Sequence, residues 1–154
     1  MKLKILTYAA LLFTIHVSAQ KNATEFLDLA EKEFNKKNYK ASLDIASEAI
    51  IKYPDSSKLY DFRGNLYSAF KEYEKAIQDF SLGYKTANSA KLKAHYLMNR
   101  GGMKSTIRDF EGAYNDLILA VQFDSTNLDA YSNLSAACDE VRKEEEAFRY
   151  SFKI

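Results

Sequence analysis

Residues 60–80 read YDFRGNLYSAFKEYEKAIQDF. Tyr60 is followed three places on by Arg63 and then by the small Gly64. Tyr67 comes next, and further along Ala76 and Phe80 stand one helical turn apart. The same spacing returns three more times, with anchors Phe26-Leu29-Ala30, Leu97-Arg100-Gly101 and Tyr131-Leu134-Ser135. A second set follows in each unit: Ser42 with Ala46, Ala113 with Leu117, Ala147 with Ser151. Phe26 to Tyr60 is 34 residues, Tyr60 to Leu97 is 37, and Leu97 to Tyr131 is 34. Such a period marks stacked supersecondary units, each burying its apolar face against its neighbours.

The units are helical. Phe26, Leu27, Leu29, Ala30 and Phe34 fall at helical spacing, and so do Leu43, Ile45, Ala46, Ala49, Ile50 and Tyr53 after a break at Lys36-Lys37-Asn38. Small residues (Ala30, Gly64, Gly101, Ser135) stand where two helices must approach closely, flanked by large ones that fill the groove. Asp55-Ser56-Ser57 and Ser125-Thr126-Asn127 supply N-capping chemistry, and no stretch alternates as a half-buried strand does. The three extra residues of the third unit lie between Lys85 and Lys93, lengthening the approach to its first helix, with Asn88 or Ser89 as the cap. No linker or charge block divides the chain, so a single elongated domain is expected.

The pattern Tyr60-x2-Arg63-Gly64-x2-Tyr67…Ala76-x3-Phe80 resembles the tetratricopeptide repeat, a helix–turn–helix unit. The other units depart from it in places: Ala30 for the glycine and Ser42 for the alanine in the first, Lys104 for an aromatic in the third. The only proline, Pro54, closes the first unit. The resemblance covers about residues 23–154, with repeats at about 23–56, 57–93, 94–127 and 128–154. It implies an all-α, right-handed helical-repeat solenoid of antiparallel helix pairs. It also implies a non-catalytic protein–protein interaction module, holding a peptide segment or docking in an assembly through a concave face. The alternative is a structural subunit that self-associates through its open C-terminal end.

In that family the first helix of each pair lines the concave face. The positions not needed for packing are Asp61, Phe62 and Asn65 in the second repeat, His95, Asn99 and Gly102 in the third, and Asp129, Ser132 and Asn133 in the fourth. Asn65, Asn99 and Asn133 recur at intervals of 34, and an amide both donates to and accepts from a peptide backbone. Gly102 costs about 1 kcal/mol of helix propensity against alanine, which suggests a purpose such as close ligand approach. Some family members grip an acidic tail with cations. Here the cations are missing from that face while Asp61 and Asp129 are present, so a carboxylate tail is disfavoured.

The first nineteen residues differ in kind. Lys2 and Lys4 precede an apolar stretch from Ile5 to Val17, and Val17-Ser18-Ala19 is a small-residue cleavage site, the build of a secretory signal peptide. The stretch is short for a span needing about 20 residues; an uncleaved N-terminal membrane anchor is the alternative. With cleavage near Ala19 the protein is periplasmic or extracellular, with no membrane insertion afterwards. Loss of Lys2 and Lys4 leaves 20 basic against 21 acidic residues.

That near-neutral balance, interleaved as in Lys71-Glu72-Tyr73-Glu74-Lys75, lacks the basic face that nucleic acid requires. The Arg142-Lys143-Glu144-Glu145-Glu146 run reads as the solvated turn between the last two helices. Beyond the signal one histidine, His95, and the only cysteine, Cys138, remain, in different repeats. They make no nucleophile–base pair and too few ligands for a structural zinc, so no enzyme, cofactor or metal is expected. The sequons Asn22-Ala23-Thr24 and Asn133-Leu134-Ser135 are incidental in a bacterial host.

Two structural expectations come from comparing the repeats. Arg63 and Arg100 go with Asp79 and Asp116 at one matching place, whereas Leu29 and Leu134 go with Ile45 and Tyr150. Salt bridges Arg63–Asp79 and Arg100–Asp116 between paired helices follow. Phe148, Phe152 and Ile154 arrive with no helix after them, so an apolar patch is expected there together with parts of Leu134, Cys138 and Val141, a candidate homodimer edge.

Overall fold

The computed structural model describes residues 22–153; the expected signal segment and Ile154 lie outside the described residues. These residues form only helices: α1 (22–35), α2 (Tyr39–Lys52), α3 (Ser57–Ala69), α4 (Tyr73–Thr86), α5 (Ala90–Thr106), α6 (Phe110–Phe123), α7 (Leu128–Glu140) and α8 (Glu144–Ser151). The architecture is the expected helical-repeat solenoid. Two compact units divide within α3, between Leu59 and Tyr60. None of the described helices is long and apolar enough to cross a membrane.

In the first unit α1 and α2 meet through small residues. Ala30, Ser42 and Ala46 are fully buried, and the Ser42 hydroxyl donates to the Ala30 carbonyl at 2.8 Å. Phe26 lies against Tyr53, with ring centroids 6.0 Å apart, and Lys52 Nζ stands 4.7 Å over the Phe26 ring.

In the second unit the small positions are matched to what they face. A Cβ on Gly64 would lie 2.8 Å from Phe80, and one on Gly101 would lie 2.9 Å from Leu117, so only glycine lets these helices close over a large side chain. The last repeat solves the contact differently. Ser151 stands where Phe80 and Leu117 stand in their repeats, Ser135 replaces the glycine, and its hydroxyl donates to the Ala147 carbonyl at 3.0 Å. Gly83 is a further close approach: a Cβ there would lie 2.5 Å from the buried Tyr96 ring. Around these contacts Leu97, Leu117, Ala130, Tyr131, Leu134 and Cys138 form one core, and Ala76, Phe80 and Tyr96 another.

Every helix pair turns in the same way, through a basic residue in the left-handed region: Lys37 (φ 64°), Lys71 (62°), Arg108 (66°) and Arg142 (60°). In the turn at Lys71 its own amide donates to the Ser68 carbonyl at 2.9 Å and the Glu72 amide to the Tyr67 carbonyl at 2.8 Å. This reciprocal pattern ends a helix where glycine is the usual occupant. Positive charge at a helix C-terminus partly offsets the backbone strain.

The three-residue insertion is absorbed as helix. Ser89 caps α5, its Oγ accepting from the Leu92 amide at 3.2 Å, and α5 runs 17 residues against 13 for α3 and α7. The expected repeat boundary at 93/94 therefore falls inside α5. Asn127 caps α7, accepting from the Ala130 amide at 3.0 Å.

The C-terminal edge needs correction. Phe148 and Phe152 are 67 % and 74 % exposed and pack edge to face on each other at 4.6 Å. Leu134 and Cys138 do not join them. Both are wholly buried, because α8 lays Ala147 into the core that they share.

Candidate functional site

The polar side chains on the first helices are sorted by what the second helices take from them. Asp79 is 2 % exposed, and Arg63 grips it with two bonds, Nε to Oδ2 at 2.8 Å and Nη2 to Oδ1 at 2.7 Å. Arg100 repeats the grip on Asp116, 4 % exposed, at 2.7 and 2.5 Å. Both expected ion pairs form, and each arginine is held still more firmly in its charged form by its aspartate. The third repeat adds two contacts absent from the expectation. Arg100 Nη1 donates to Ser81 Oγ at 3.0 Å, and Lys104, in place of the usual aromatic, reaches Asp116 Oδ2 at 2.9 Å. Lys93 is drawn away as well, its ammonium standing over the rings of Tyr84 and Phe123.

What remains on the first-helix face of the second unit is mainly acid, amide and imidazole. His95 on α5 reaches back to Asp61 on α3, Nε2 to Oδ1 at 2.7 Å, and Asn99 Nδ2 lies 3.1 Å from the same nitrogen. One nitrogen cannot both donate to the carboxylate and accept from the amide. The charge-assisted bond takes the proton, leaving the Asn99 amide hydrogens for other partners. The bond to Asp61 raises the His95 pKa above its ordinary value, against the opposing pull of burial. The His95 ring also stands edge-on to Tyr96 at 5.3 Å.

Asn65, Asp129, Ser132 and Asn133 are exposed, while Asp61, Phe62, His95, Asn99 and Gly102 are half-buried. Gly102 differs from the other helical glycines of this unit: a Cβ on it would meet nothing within 4 Å. The asparagine recurrence is corrected by register. Arg63 and Arg100 occupy equivalent places, as do the turn residues Lys71 and Arg108, so α3 and α5 are related by 37 residues. Asn65 is thus equivalent to Gly102, one turn away from the true matching pair, Asn99 and Asn133. His95 and Asp129 match in the same way, and α5 and α7 are in contact.

The run Arg142–Glu146 is more than a solvated turn. Lys143 Nζ stands 3.6 Å over the Tyr114 ring, and the Tyr114 hydroxyl donates to Glu146 Oε2 at 2.8 Å. Tyr114 and Glu146 lie 32 apart with no sequence signal joining them. Burial, and next to it Glu146, pushes the Cys138 thiol up to about 11, so at neutral pH it is protonated. Among the described residues no three His, Cys, Asp or Glu side chains gather as metal ligands would.

Solved structures share this architecture. MamA superposes with a TM-score of 0.75 at 17% identity, over 85% of this chain and 70% of that one. The chain has the tetratricopeptide-repeat fold. The second tetratricopeptide domain of human RPAP3, solved in complex with the HSP70 peptide SGPTIEEVD, gives 0.68 at 18% identity, over 77% of this chain and 97% of that one. The first such domain of Spaghetti (RPAP3), bound to the HSP90 peptide SRMEEVD, gives 0.69 at 18% identity, over 78% and 93%. No family model and no curated protein matches the sequence.

Proposed function

We propose that the chain is a non-catalytic protein-interaction module that takes an extended peptide segment on the face formed by α3, α5 and α7. The observation that carries this reading is the polar row Asp61–His95–Asn99, continued by Asn133 and Asp129, beside a glycine whose Cβ position meets nothing within 4 Å among the described residues. Bound peptides on two proteins of the same fold support it. An extended peptide presents unpaired amides and carbonyls, which the side-chain amides of Asn99 and Asn133 suit, and Gly102 lets a backbone approach α5 closely. The protonated, buried Cys138 thiol is unsuited to nucleophilic work. The test is capture of partners from native extract by the wild type and by an Asn99→Ala/Gly102→Ala/Asn133→Ala variant. Loss of the captured proteins from a folded variant supports the assignment, and an unchanged set at unchanged affinity contradicts it.

A second reading, self-association through α8, has its own observation in the exposed Phe148–Phe152 pair. Light scattering of the wild type against Phe148→Ser/Phe152→Ser tests it, a monomeric wild type removing the reading. On residues Lys2 to Ala19 alone we propose export; purified mature protein beginning at Gln20 is the result expected.

A further inference from the structure

We propose that the segment this face accepts carries a lysine or arginine, whose cation is held at Asp129 while the amides of Asn99 and Asn133 bind its backbone. This rests on the peptide-binding reading above and adds the chemistry of the partner.

The cations of α5 are largely committed elsewhere. Arg100 and Lys104 are both on Asp116, and Lys93 lies over Tyr84 and Phe123. His95 reaches the face and is matched by Asp61, and Lys91, one turn before it, acts on Asp124, adding to the Thr126 bonds that lower that carboxyl's pKa. The neighbouring helix α7 carries Asp129, Asp139 and Glu140 and no basic residue at all. None of these three carboxylates takes part in a salt bridge found among the described residues. Asp129 is exposed and holds on α7 the place that His95 holds on α5, one turn before Asn133 and Asn99 respectively. The two helices in contact thus carry the amides of Asn99 and Asn133, with an unmatched carboxylate, Asp129, one turn before Asn133. A peptide carboxylate placed against Asp129 meets like charge, whereas an ammonium or guanidinium is matched. Gly102, three residues beyond Asn99 on α5, leaves that part of the helix surface open to a backbone. Gly64, Gly83 and Gly101 each make room for a side chain of this protein, and Gly102 makes room for none.

The experiment presents the full chain with a positional-scanning array of extended peptides. It then titrates the best lysine-containing peptide and its Lys→Glu counterpart by fluorescence anisotropy, at low and at high salt. Expected are enrichment of Lys or Arg over Asp or Glu at one position and at least about tenfold weaker binding of the glutamate counterpart. Asp129→Lys should reverse that order, with the milder Asp129→Asn reducing the difference. Circular dichroism confirms that each variant is folded. Enrichment of acidic peptides, or a lysine preference indifferent to both Asp129 variants, overturns the proposal while leaving peptide binding standing. Failure of any peptide to bind overturns the proposal and the peptide-binding reading together.

Discussion

Replacing Arg63 by leucine separates the role of a buried ion pair from that of the helix that carries it. Asp79 is 2 % exposed, and the two Arg63 bonds are the hydrogen bonds found on its carboxylate. Removing one partner of such a pair costs about 3–5 kcal/mol, since the remaining charge is buried and unmatched. Arg100→Leu should lose less, about 1.5–3 kcal/mol, because Lys104 still reaches Asp116 Oδ2 at 2.9 Å. The first repeat shows the apolar solution, Leu29 with Ile45, at the same two places. Arg63→Leu/Asp79→Ile should therefore recover to within about 1.5 kcal/mol of wild type or exceed it. Urea unfolding followed by far-UV circular dichroism measures all four proteins, compared at equal m-values. Equal losses from Arg63→Leu and Arg100→Leu, or a double variant no better than the single one, would refute the reasoning.

Gly83→Ala should destabilise by about 1–3 kcal/mol through its clash with Tyr96, whereas Gly102→Ala should stabilise by up to about 1 kcal/mol; thermal melts of the two give opposite signs if the packing is right. Lys71→Gly should stabilise by about 1 kcal/mol, because it relieves a left-handed φ of 62°, while Lys71→Val should destabilise in the same assay. His95 has a folded pKa raised by Asp61, so its contribution is fully present below the unfolded value and lost as pH rises through the folded one. Because the pair is partly exposed, the effect is below about 1 kcal/mol; urea midpoints from pH 5.5 to 8.5 should show it in the wild type and lose it in His95→Gln.

Much of the fold was legible because packing repeats itself. Gly64 and Gly101 had to face something large, and the co-occurrence of arginine with aspartate specifies both ion pairs. Of the two capping residues ahead of α5, Asn88 and Ser89, the helix uses Ser89. The turns were opaque for a physical reason: Lys37, Lys71, Arg108 and Arg142 sit where glycine is the usual signal, and nothing in a lysine or arginine announces a positive φ. The first-helix face was legible as a set of positions but not as a pattern. The three-residue insertion shifts Asn65 by a turn against Asn99, and a constant interval of 34 concealed it. Leu134 and Cys138 belong to the core and not to the open edge, and sequence does not show how deeply Ala147 seats α8.

The central claim is that partner segments lie on the first helices. Backbone amide shift mapping by NMR, on the isotope-labelled chain titrated with a peptide recovered from capture or from the array, tests it directly. The account predicts the largest changes at residues around Asp61, His95, Asn99, Gly102, Asp129 and Asn133, with α4 and α6 little affected. Changes concentrated on α4 and α6, or on α8 around Phe148 and Phe152, would contradict it.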